Sequence, residues 1–229
     1  MRNFFSSTKY SNKLLSYFTV SKLPLPILFL CALLLVLPVT REFAIWMLEE
    51  NKPIELLTFI FLIVGGIRGL VLAWQLKQSG SRWVAIFYLL FSLGLLAIGA
   101  EEVAWGQWFI GFETPSSLSE INTQNELTIH NLEIFNDHLE IFPLLFGIAG
   151  IVSVRLKKSY LHKIASPDVL LSWYLIITIM SAIDLIQDFF VIQEQFDYLM
   201  NYLDEAVEML VGIAGFLYIW LNAKVFRFK

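Results

Sequence analysis

The chain is written in long apolar runs separated by short polar stretches. Six runs stand out: about Leu23 to Met47, Ile54 to Leu76, Trp83 to about Phe112, about Leu139 to Val154, Val169 to Ile192, and about Tyr198 to Asn222. A bilayer core about 30 Å thick asks for roughly 20 apolar residues in a spanning helix. Five runs meet that length and the fourth falls short. Strands fit poorly, because the runs are long and continuous and show no alternation of period two. The pattern predicts an all-α, polytopic helix bundle with six transmembrane helices and a partly helical outer loop. It divides into a cytoplasmic or interfacial segment 1–22, a six-helix domain 23–222 with the outer loop at 113–138, and a tail 223–229. Local signals agree. Asn51 and Pro53 read as a capped start for the second helix. Asn136 reads the same way for the fourth. Gly65 and Gly69, four apart, allow close helix packing or simply reflect how common glycine is in membrane helices.

Composition supports the membrane reading. Of 229 residues, 57% are apolar and 16% charged, and mean hydropathy is +0.67. A soluble globule is nearer 45–50% apolar and about 25% charged. Disordered, fibrous and nucleic-acid-binding chains are excluded on the same ground. The lone cysteine, Cys31, excludes an internal disulfide and a cysteine-rich metal site. The first run has no small-x-small cleavage pattern after it and reads as an uncleaved anchor.

Charge gives the direction. Thirteen of the 16 basic residues fall before the first run, between the second and third, between the fourth and fifth, or in the tail. Positive residues mark the cytoplasmic side, so both termini are expected there. The acids are distributed oppositely. All but Asp168 of the 20 carboxylates lie in outer loops or the outer halves of the runs. Solvated loops account for Glu42, Glu49, Glu50, Glu113, Glu120, Glu194 and Asp197. They do not account for the carboxylates within the runs.

An ionisable side chain inside a membrane helix costs about 2.5–3.5 kcal/mol near the centre and usually faces a partner. Asp184 and Asp188 share one helix face; Glu205 and Glu208 share another. Counted from the outer end at 1.5 Å per residue, Asp184 sits about 12 Å in and Glu208 about 15 Å, so the two can meet across a hairpin. Glu101 and Glu102 lie either near the outer surface or about 16 Å deep, depending on which end of the third run is the reference. No Lys or Arg is expected beside these acids. Three arrangements remain open: shared protons, a bound cation, or a water-filled cavity open to the outside. A protonated polar seam that only joins helices is the structural alternative.

The outer loop holds no Lys or Arg over 113–138. Its most suggestive residue is His130, with Glu126 four before it and Glu133 three after it. His138 lies eight residues on, too far along a straight helix to share an ion with it. Glu101, Glu102, His130, Asp184 and Glu208 are the candidate acid/base groups. Glu101, His130, Asp184, Glu205 and Glu208 are the candidate ligands for a divalent metal ion, for which hard oxygens and one imidazole suit Mg²⁺, Mn²⁺ or Zn²⁺. No nucleophile elbow, P-loop or His-Glu-x-x-His motif is present, and nothing points to an organic cofactor.

The run Glu101-Glu102-Val103-Ala104-Trp105-Gly106-Gln107, then Gly111-Phe112-Glu113-Thr114-Pro115, Asn122 to Glu126 and His130-Asn131, resembles an uncharacterised family of bacterial multi-span inner-membrane proteins. Asp204-Glu205-x-x-Glu208-Met209 resembles that family's last helix. The resemblance covers about 40 residues and implies location and topology, with no established activity. Ceramidase-like membrane hydrolases differ in their paired helical histidines, which this chain lacks. Function therefore divides three ways: an enzyme acting on a lipid or lipid-linked substrate, a proton- or cation-coupled carrier, or a structural or sensing protein. The bilayer is the one partner expected in every case. Oligomeric state is not legible.

Overall fold

The computed structural model describes residues 19–49, 51–116, 126–128, 141–159, 161–187 and 194–226. Every regular element among them is helical. In chain order they are α1 Pro24–Val36, α2 Arg41–Leu48, α3 Pro53–Gln78, α4 Arg82–Glu101, α5 Gln107–Ile110, α6 Ile141–Arg155, α7 Leu171–Gln187 and α8 Glu194–Val225. Five stretches are long and apolar enough to cross a membrane: Thr19–Val36, Arg41–Gln78, Arg82–Glu101, Asp168–Gln187 and Tyr198–Val225. The helix Ile141–Arg155 is apolar but shorter. The chain is thus consistent with a multi-pass integral membrane protein.

Two expected helices end early, each for a local reason. The first run breaks after Val36, where Leu37 is extended at φ −76°, ψ 121°. Pro38 follows, and a proline disfavours helical backbone in the residue before it. The third run stops at Glu101 instead of continuing to Phe112. Ala104, Trp105 and Gly106 then all take positive φ, a conformation that ends an α-helix and that only Gly106 adopts without strain. At the second helix Pro53 fills the first turn as expected, but Asn51 does not cap with its side chain. Its Nδ2 instead donates to Glu126 at 3.1 Å. The Asn51 backbone N–H donates to Glu55, 2.5 Å away.

The helices present lipid-like surfaces. On α3, Ile60, Val64, Ile67, Val71 and Trp74 are exposed in a single stripe at three- and four-residue spacing. The opposite side of α3 is where the glycines lie. Gly65 faces the Phe216 backbone of α8, and Gly66 and Gly69 face Leu96 and Ser92 of α4. The Gly65–Gly69 pair is therefore a packing device, seating α3 between two neighbours. Gly147 and Gly150 of α6 similarly admit Thr178 and Tyr174 of α7. These two hairpins, α3–α4 and α6–α7, meet across α8. Its apolar window is 67% buried, against 22–39% for the other four.

At the end away from the Glu102 group, residues 163–166 are drawn into the bundle. Tyr88 and Tyr218 donate to the carbonyls of Lys163 and Ile164 at 3.1 and 2.7 Å. Asn222 donates to Ala165 at 3.2 Å, and the Ser166 N–H donates to Ser153 Oγ at 3.0 Å. Ser166 and Tyr174 share a hydroxyl–hydroxyl bond of 2.9 Å. Buried backbone groups need such partners: α4 and α8 supply donors to the three carbonyls, and α6 accepts from the Ser166 N–H. The same end is filled by Tyr88, Trp173 and Tyr218, none more than 4% exposed.

Candidate functional site

Helix register determines which acids meet. A Cβ on Gly212 of α8 would lie 3.3 Å from the Thr58 carbonyl of α3, and one on Gly99 of α4 would lie 3.1 Å from Leu62. Moving one turn from these contacts, toward the starts of α3 and α8 and the end of α4, reaches Glu208 on α8, Glu55 on α3 and Glu102 just past α4. Glu205 follows one turn beyond Glu208 on the same face.

Glu102 is the centre of the group. It is 8% exposed, although it lies just outside the span that ends at Glu101. Burial, followed by the negative charges of Glu208, Glu55, Glu205 and Glu101, holds its proton affinity well above the ordinary carboxyl range. Glu101 turns elsewhere: its carboxylate accepts a hydrogen bond from the Trp105 indole in an exposed setting. Two adjacent acids thus have different roles in the structure, one inside the cluster and one at its rim.

The turn after Glu102 explains why Gln107 follows it so closely. Gln107 Nε2 donates to the Phe112 carbonyl at 3.0 Å and to Thr114 Oγ1 at 2.9 Å. Its Oε1 accepts from the Leu127 N–H at 2.8 Å. One amide therefore ties the described stretches on either side of residues 117–125 to each other, a few residues after Glu102. Beside it, Trp108 Nε1 is buried with no hydrogen-bond partner among the described residues.

Asp184 is in a different environment. It lies on α7, 5% exposed, and its Oδ1 accepts from Gln187 Nε2 at 2.5 Å. It does not figure among the carboxylates that act on Glu102. His130, His138 and Asp188 lie outside the described residues. Among the described residues, no three His, Cys, Asp or Glu side chains form a group able to hold a metal ion. The set Glu101, His130, Asp184, Glu205 and Glu208 accordingly gains no support as a metal centre. Glu55 was not singled out from the sequence, and Gln107 entered only as the last residue of the Glu101–Gln107 run, with no role assigned to it. For Glu55 the available signal was its place in the first turn of an outer-facing helix start. For Gln107 it was the glycine on either side of its short helix, Gly106 and Gly111.

Comparison with protein-family models, with curated proteins and with solved structures finds no match to this chain.

Proposed function

We propose that this chain is an inner-membrane enzyme whose outer-face carboxylates carry out acid–base chemistry on a lipid or lipid-linked head group. The observation that carries the reading is Glu102, buried at the outer end of the bundle with Glu208 as its strongest charged neighbour. Carboxyl groups held together in one place can divide the work of acid and base. Glu102, retaining its proton, is the donor to a leaving oxygen or nitrogen. Glu208 accepts a proton from water or from an attacking hydroxyl. Glu205 and Glu55 tune this pair, and the loop held by Gln107 forms its outer wall. The position of the group at the outer ends of α3, α4 and α8 favours a substrate that approaches within the outer leaflet. The expected orientation, with both termini cytoplasmic, places that leaflet on the periplasmic side.

The carrier reading has less support. A carrier needs a polar route through both halves of the bundle, whereas the end opposite the acids is filled by Tyr88, Trp173 and Tyr218 and closed by the segment they hold.

The test is direct. Purified protein in detergent is incubated with a total bacterial inner-membrane lipid extract, and head-group composition is followed by mass spectrometry. A changed lipid species is expected with the wild type. Its rate is expected to fall by about 10²–10⁴-fold in Glu102→Gln and Glu208→Gln, the usual contribution of a positioned acid or base. No changed species with the wild type, or equal conversion by the folded variants, overturns the reading.

A further inference from the structure

Three polar side chains follow one another along the outer half of α7. Ser181, Asp184 and Gln187 are 1%, 5% and 7% exposed. Three-residue spacing keeps them in one arc of the helix, each about 4.5 Å further along. Gln187 uses an amide N–H on Asp184. Its own carbonyl oxygen, Oε1, is buried with no hydrogen-bond partner among the described residues, and so is Ser181 Oγ.

Such orphans are costly where the bilayer supplies no water. They are also not the habit of this helix. Thr178, one turn earlier, donates back to the Tyr174 carbonyl at 2.7 Å, and Ser172 donates to Ser21 of the N-terminal segment. The helix satisfies its hydroxyls below Ser181 and leaves two oxygens open on either side of a buried carboxylate.

All three groups present oxygen to the same arc. Gln187 Oε1 can only accept, and Ser181 Oγ has lone pairs to give. A water molecule would satisfy one of the orphans. A cation is attracted by the carboxylate and by both orphaned oxygens, and among the described residues Asp184 is the one carboxylate on this arc, which matches a single positive charge. Neutral carbonyl and hydroxyl oxygens with one carboxylate are hard donors. We propose that Ser181, Asp184 and Gln187 line a binding site for a monovalent cation of sodium's size. Directly below lie Ile177, Tyr174 and Trp173, all buried, so the ion is held at this level and does not pass through. The proposal uses none of the residues in the Glu102 group and stands or falls separately from it.

The experiment is thermal unfolding of the full chain in detergent, followed by tryptophan fluorescence, with sodium chloride replacing choline chloride at constant ionic strength. Binding to the folded state alone raises the unfolding temperature by mass action. The wild type is expected to show a saturable rise with sodium. Asp184→Asn and Gln187→Leu are expected to shift the half-saturating concentration at least tenfold. Ser181→Ala, which deletes one hydroxyl and leaves the helix otherwise intact, is expected to shift it several-fold and keeps the test open if the larger changes prevent folding. Identical transitions in sodium and choline, or unchanged sodium dependence in the folded variants, overturn the proposal.

Discussion

Gly150→Ala is expected to destabilise the fold more than any other single-methyl change considered. A Cβ at Gly150 would lie 2.2 Å from Cδ1 of Tyr174 and 2.4–2.5 Å from two further atoms of its ring. A flat, buried ring cannot step aside as a flexible chain end can, and this one is anchored through its hydroxyl to Ser166. The substitution must therefore part α6 from α7 or uproot Tyr174 from the inner segment it holds. Overpacking of this kind costs about 1–3 kcal/mol, and the upper end is expected because the ring and its hydrogen bond both move. Gly94→Ala is the internal control. It lies within α4, and a Cβ there meets nothing within 4 Å. Alanine is the better helix former by about 0.5–1 kcal/mol, so Gly94→Ala is expected to be neutral or slightly stabilising. Thermal unfolding of both variants in the same detergent checks the pair; equal effects would remove the α6–α7 seam from the account.

The second large effect is pH-dependent and belongs to Glu102. Its proton affinity is higher in the folded protein than the ordinary value of 4.5, so the folded state binds the proton more tightly than the unfolded one. Stability from this group is fully present below the ordinary value. It is lost as pH rises through the raised folded value, because a charge is then forced among Glu208, Glu55, Glu205 and Glu101. Glu102→Gln keeps the shape and removes that charge. The variant is expected to match the wild type in acid and to become progressively more stable than it as pH rises. A parallel pH–stability profile for the two proteins would show that Glu102 carries no raised proton affinity.

Much of this architecture is written in the apolar runs, because a bilayer admits few ways to bury a backbone. Length and continuity alone separate helices from strands here and locate the second helix to within two residues at either end. The break after Val36 was also legible in Leu37-Pro38, and the apolar run concealed it. The end of α4 was less visible. Val103, Ala104 and Trp105 continue the hydrophobic pattern, and only their backbone shows that the helix has stopped. What a single sequence cannot carry is register between helices. Glu55 joins Glu102 because Gly66 and Gly99 set how α3 lies on α4, and Glu208 joins them because Gly212 sets how α8 lies on α3. The capture of residues 163–166 was invisible for another reason: its acceptors are backbone carbonyls, which leave no mark in the sequence.

The account rests on Glu102 and Glu208 facing each other across α4 and α8. Cysteines at both positions, in a Cys31→Ser background, test this in native membranes. A short bifunctional thiol reagent is expected to join Glu102→Cys to Glu208→Cys within one chain and protect both from a later single-site label. Independent labelling of the two thiols, with no intramolecular link formed, would contradict it.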